Sequence, residues 1–292
     1  MGIRTKFNLV LLLVAAIGVG LFALVSGPFM KEQAREDVLV RSRIMMDSAA
    51  GMRKYTAEEI TPIILQGKSD AFHPQTVSSY AAIKNFAVLR ANFPDYNYRE
   101  AALNPTNPTD RATESEADII KDFRANPTKP ELITERDTHT GRILYLSRPI
   151  VAEKNCLVCH DTPDIAPQAM LAQYGRQNGF GWKLNEIVGA QIVSVPMAVP
   201  LANATKSLYL SLALLAAVFA LLIVLINILL SMMIIFPVLR MSKVANDAST
   251  GKRDIEEYVK SGSDEVATLS VSLNRMRHSI DAAVKLLEAP RK

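Results

Sequence analysis

The chain has 292 residues, a formal net charge of +4 and two cysteines. Its length suits about two domains, and the lack of any basic block leaves nucleic acid without support as a partner. A mean hydropathy of +0.12 is high for a soluble protein, and the apolar excess sits in two places.

Leu9 to Val25 is an apolar run preceded by Arg4 and Lys6, and Leu208 to Phe236 is free of charge between Lys206 and Arg240. Each reaches the roughly 20 residues that a helix needs to cross about 30 Å of hydrocarbon. The first run is longer than the apolar region of a cleaved signal peptide and lacks a clean small-residue cleavage site, which favours an uncleaved anchor. Arg4 and Lys6 before the first span, with Arg240 and Lys243 after the second, put both termini in the cytoplasm. Lys31, Arg35, Arg41 and Arg43 weaken that vote, although acidic residues are interleaved among them.

Lys31 to Gln66 reads as a long helix continuing out of the first span. Val38, Ile44 or Met45, Met52, Tyr55 and Ile60 to Ile64 recur at approximately helical spacing, and Pro62 marks a kink or end. Such a helix either transmits displacement to the span or serves as a passive stalk. Phe72 to Gln75 is a turn, Thr76 to Arg90 a second helix, and Tyr96 to Leu103 a strand closed by the turn cluster Asn104 to Pro108. Thr113 and Glu116 stand in capping-box spacing at the start of a helix to Arg124. Asp137 to Gly141 has the chemistry of a hairpin loop, followed by a strand from Arg142 to Val151. A short helix near Gln168 to Tyr174, a glycine-rich turn from Gly175 to Gly181 and a central strand from Ile187 to Val195 complete the segment. Helices packed on one side of a few antiparallel strands make an α+β, PAS-like module the expected fold.

Cys156-Leu157-Val158-Cys159-His160 carries the chemistry. Two thiols at this spacing with a trailing imidazole form the pattern of covalent haem attachment, in which Cys156 and Cys159 bond the vinyl groups and His160 is the proximal iron ligand. A zinc ribbon would need a second ligand pair, and a disulfide across two residues would be strained and close almost no loop. One covalent haem c is therefore the expected cofactor. Because such haem is attached outside the cytoplasm, the segment from 30 to 206 is expected in the periplasm of a two-pass bacterial inner-membrane protein.

The iron's sixth ligand separates a redox sensor from a gas sensor, since a strong ligand blocks diatomic gases and an empty site admits them. Met45, Met46, Met52, Met170 and Met197 offer thioethers, and His73 and His139 offer imidazoles. Met52, Tyr80 and His73 are the candidates carried forward, with the position left open. Arg142 and Arg148 are candidate partners of the haem propionates, and Trp182 is a candidate wall of the pocket.

Several stretches also invite a family comparison. Lys54-Tyr55-Thr56, Phe93-Pro94-Asp95-Tyr96, Glu100 through Ala112, the Cys-x-x-Cys-His motif, Tyr174-Gly175, Asn178 through Trp182 and Val195-Pro196-Met197 together resemble the haem-c-binding PAS-like periplasmic sensor domains. The resemblance implies one covalent haem in a PAS-like fold. Within that family a cysteine can fill the distal position, but this chain has no third Cys.

Pro237 is expected to end the second span. Val238, Met241, Ala245 and Ala248 form a short heptad seam, Thr250-Gly251-Lys252 breaks it, and Ile255 and Val259 punctuate a polar connector. A second seam follows in Val266, Leu269, Leu273, Met276, Ile280, Ala283 and Leu287. Two such helices bury their stripes only by pairing with a second copy as a parallel four-helix bundle, which predicts a homodimer. The segment resembles the HAMP linker of transmembrane receptors, on the strength of Pro237, Asp264-Glu265, Leu269, Asn274 and Met276. Asp264 and Glu265 also suit a helix start, and His278 is read as part of a solvated helix face.

The expected organisation is an N-terminus and first span over 1–30, a periplasmic sensor domain over 31–206, a second span over 207–236, a HAMP-type coiled coil over 237–288 and a tail over 289–292. No nucleophile-base pair is legible, so the chain is read as non-enzymatic. It is read as a sensor that turns haem redox state or diatomic-gas binding into a signal for a separate cytoplasmic effector. The alternative is a membrane-anchored monohaem cytochrome serving a redox partner in electron transfer.

Overall fold

The computed structural model describes residues 1–67, 71–139, 141–252 and 256–288, with side chains up to Val284. It divides into one unit from Ser26 to Leu208 and another made of Met1–Val25 with Tyr209–Lys292. Ile255 and Thr140 fall outside the described residues, as does the side chain of Leu287.

In the first unit, β1 (Asn97–Ala102), β2 (Leu132–Thr138), β3 (Gly141–Val151) and β4 (Ile187–Pro196) form one antiparallel sheet in the order β1-β4-β3-β2. Alternation sends Tyr98, Leu144, Leu146, Val193 and Val195 to one face. There they pack with Val38, Leu39, Met45, Met46 and Ala49 of α1 (Ile3–Tyr55) and with Ala82 and Phe86 of α3 (Ser78–Asn92). Ile44 and Tyr55 of α1 stay exposed.

The opposite face is not left to solvent, which corrects the expectation of helices on one side. Ala101, Ala190 and Ile192 meet Ile119, Ile120 and Phe123 of α4 (Glu114–Ala125). Thr113 caps α4 with the full reciprocal box to Glu116, and the Arg99–Glu116 ion pair at 3.2 Å ties the helix to β1. Buried on both faces, β4 runs through the middle of the domain.

α1 is continuous for 53 residues and runs through Pro28. It gives way to a π-turn at Thr56–Ile60, where the Thr61 N–H and hydroxyl both reach the Thr56 carbonyl, and α2 (Thr61–Gln66) follows. Pro62 has no N–H to continue an ordinary ladder, and the wider turn just before it absorbs the mismatch.

The same device appears in the second unit. α7 (Ala198–Leu230) passes through a π-turn at Ser231–Ile235 into α8 (Phe236–Ser249), so Pro237 does not end the helix as expected. Pro237 cannot donate to the Met233 carbonyl, and the Lys260 ammonium does so at 3.3 Å. The helix stops at Ser249, and Gly251 follows with φ of 78°.

Two helices, Ile3–Gln66 and Ala198–Ser249, are long and apolar enough to cross a membrane, and none of either apolar window is buried. Asn227 donates to Asn8 at 2.6 Å and Arg4 to Ser231 at 3.0 Å, polar links of the kind that hold helices together in lipid.

α9 (Glu265–Glu288) is capped by Asp264, whose carboxylate accepts the Ala267 N–H at 2.7 Å and pairs with Lys260. Ser270 accepts the Lys260 N–H, and Asn274 donates to the Tyr258 carbonyl, both at 3.0 Å, so the connector is bound to α9. Val238, Met241 and Ala245 of α8 face Leu269 and Leu273 of α9 across an apolar groove. Met241 is buried, while Leu269, Met276 and Ile280 are exposed. His278 has an exposed side chain, and its Nε2 lies 2.5 Å from a Glu257 carboxylate oxygen.

Candidate functional site: a Cys-x-x-Cys-His turn held by two loops

The motif occupies α5 (Lys154–His160), a short helix entered directly from β3. Ala152 exchanges hydrogen bonds with Glu186 and Asn185 at 2.8 and 2.9 Å, which ties the entry to the start of β4. On a helical turn Cys156 and Cys159 lie on the same side, with His160 next in line. Both thiols are free and half-buried.

Cys159, like Phe72, Tyr174 and Phe180, packs against the buried cluster of Ala166, Met170 and Leu171, which is braced by the edge-on contact of Phe72 with Tyr174 at 5.8 Å. Burial, reinforced by the neighbouring Cys156, pushes the Cys159 thiol above its ordinary pKa. In the cofactor-free protein we therefore expect Cys159 to react with iodoacetamide several-fold more slowly than an unburied cysteine, as read by peptide mass spectrometry, because the thiolate is the nucleophile. Equal rates would contradict this environment.

His160 is the most constrained side chain of the motif. Its Nδ1 lies 2.8 Å from the Gly179 carbonyl and 3.3 Å from the Thr106 hydroxyl, and its ring stacks on Trp182 at 4.0 Å and 14°. The Trp182 N–H returns to the His160 carbonyl and the Gly181 N–H to the Asp161 carbonyl, at 3.2 and 2.7 Å. A carbonyl only accepts, so Nδ1 carries the proton and Nε2 is left with its lone pair, the tautomer a metal ligand needs. Burial also pulls the His160 pKa below its usual value, which favours the neutral ring.

Gly179 has φ of +83°, and a Cβ there would sit 2.8 and 2.9 Å from the Thr106 N and Cα. Only glycine lets the two loops close around the imidazole. Thr106 and Gly179 were not among the residues expected at the site, although both belong to the stretches that carry the family resemblance.

Of the expected residues, Trp182 touches His160. Arg142 lies at the far end of β3 from α5 and pairs with Asp137 at 3.0 Å, and Arg148 pairs with Asp47 at 2.6 Å and Glu131 at 3.4 Å. Both arginines are thus engaged with carboxylates on β2, on α1 and just before β2. Met52 is half-buried against the α1–α3 core, beside Met45, Met46 and Met197. Tyr80 lies beneath Lys84 on α3. His73 precedes the turn at Pro74, next to Phe72 of the Cys159 cluster, and Met170 is inside that cluster. His139 lies in the hairpin loop.

Fold and site together define an α+β domain that presents a Cys-x-x-Cys-His turn. The chain belongs to the Tll0287-like family, whose sequence model matches residues 31–196. A crystal structure of the cyanobacterial haem protein Tll0287 aligns with 55% of this chain and 95% of its own, at 18% identity and a TM-score of 0.44. No curated protein matches.

Proposed function

We propose that this chain is a membrane-anchored haem c sensor. The observation that carries the reading is the His160 imidazole, fixed through Nδ1 by Gly179 with Nε2 left for a metal, directly after two thiols on one helical turn. The donor set fits haem c: Cys156 and Cys159 would form the thioethers and His160 would be the proximal iron ligand. The family name, shared with a protein described as a haem protein, points the same way. Bound haem supplies a one-electron couple and a sixth coordination position. Met52, Tyr80 and His73 are the candidates for that position.

In this reading the domain is PAS-like and periplasmic, both termini are cytoplasmic, and residues 237–288 form a HAMP-type module in a homodimer. The exposed line of Leu269, Met276 and Ile280 supports pairing with a second copy. A change at the haem shifts α8 and α9 between two packings that a separate cytoplasmic effector reads. No enzymatic role is assigned. Electron transfer is the second reading, favoured by the motif alone.

The test is spectroscopic and then chemical. Full-length protein matured with a cytochrome c assembly system is expected to show a Soret band that resists acid-acetone extraction, and Cys156→Ser with Cys159→Ser to lose it. A wild-type protein without that band would end the haem reading. Disulfide crosslinking of Leu269→Cys between copies is expected to differ between oxidised and reduced protein, and redox-independent crosslinking would favour electron transfer.

A further inference from the structure

Between the end of α1 and the β1–β4 pair lies a polar network that none of the preceding function uses. Glu100 on β1 is 5% exposed and forms an ion pair with Arg53 in the last turn of α1. Tyr98 donates to Glu100 at 2.8 Å, and Gln191 of β4 donates to the Tyr98 hydroxyl at 3.1 Å. Burial and then the Glu100 charge hold the Tyr98 phenol well above its ordinary pKa, so it remains a donor.

Two geometric facts link this network to the haem site. β1 leads from Glu100 into the loop whose Thr106 touches His160. Arg53 stands three residues before the π-turn that begins at Thr56, where the hydrogen-bond ladder of α1 is already out of register.

We propose that the Arg53–Glu100 pair is the electrostatic contact through which charge at the Cys156–His160 site reaches α1. Both are positioning residues, and the inference rests on the haem c reading. One electron added at the iron makes the site one unit less positive, which strengthens the field favouring Arg53 and opposes Glu100. A low-dielectric pair with matched charges is sensitive to such a change, whereas a surface pair would be screened. The arginine cannot neutralise itself by losing a proton, so removing the carboxylate leaves a fixed, unpaired cation at the end of α1.

The experiment compares the haem midpoint potential of full-length wild type, Glu100→Gln, and Glu100→Gln combined with Arg53→Met. Glu100→Gln is expected to favour the reduced form about tenfold, a rise of about 59 mV for one electron, and the double variant to reverse most of that shift. Hydrogen exchange over residues 49–60 is expected to differ between oxidised and reduced wild type and to lose that difference in the double variant. A purely structural role would move both variants in the same direction or leave the potential alone, and either result overturns the inference. Soret absorbance in every sample keeps the two questions apart: without it the haem reading fails, and with it but with an unmoved potential only this inference fails.

Discussion

Replacing Gly179 by alanine is expected to lower the stability of the sensor unit by about 2–5 kcal/mol and to weaken retention of the cofactor. The estimate joins roughly 1–2 kcal/mol for an L-residue in left-handed backbone with typically about 1–3 kcal/mol for overpacking. The added Cβ meets the Thr106 hydroxyl first and then the Thr106 backbone N and Cα, so turning the side chain aside is not enough and relief requires moving one of the two loops. Either movement pulls the Gly179 carbonyl or the Thr106 hydroxyl away from His160 Nδ1. Thermal unfolding should show a fall of roughly 5–15 °C in the midpoint. Gly175 provides the control. It also has positive φ, at 79°, but a Cβ there meets nothing within 4 Å, so Gly175→Ala should lose only the backbone part. Equal effects at the two positions would show that loop closure around the imidazole contributes nothing.

Phe123→Ala is expected to cost about 3–5 kcal/mol, the range for an aromatic removed from a core. Phe123 is fully buried, and it joins Ile119 and Ile120 in covering the second face of the sheet. Its loss frees α4, and α4 starts just after the loop that carries Thr106 to His160. Cofactor retention should therefore fall together with the unfolding midpoint. Phe93→Ala, at a site 57% exposed, should stay within about 0.5 kcal/mol of wild type. A Phe123→Ala protein as stable as Phe93→Ala would contradict the two-sided core.

Where local chemistry decides structure, the sequence was sufficient. The Thr113–Glu116 box starts α4, α6 (Gln168–Tyr174) lies where a short helix is expected, and the branched run from Ile187 forms the central strand. That run also held a clue to the second helical layer. Ile187 to Val193 are buried without a break, the signature of a strand covered on both faces, whereas a sheet with one wet face alternates. β2 left a weaker trace, because Leu132–Thr138 is a half-exposed edge strand with Glu135 and Arg136 in its middle. The Cys-x-x-Cys-His turn was legible because its residues are neighbours. The contacts that hold it were not: Thr106 meets Gly179, and Arg53 meets Glu100, across long stretches of chain whose pairing depends on the sheet. Arg142 and Arg148 show the converse, since the acidic residues that claim them lie on β2, α1 and the approach to β2.

The π-turn at Ser231–Ile235 has a consequence for rotation. A residue in an α-helix turns the chain by about 100°, so a wide turn that takes up one extra residue resets the azimuth of all that follows. Inserting one residue just after this stretch, where no second wide turn absorbs it, would leave α8 helical but swing the Met241–Ala245 stripe by about 100° away from Leu269 and Leu273. The pairing of α8 with α9 is thus set by angular phase, not by apolar content alone.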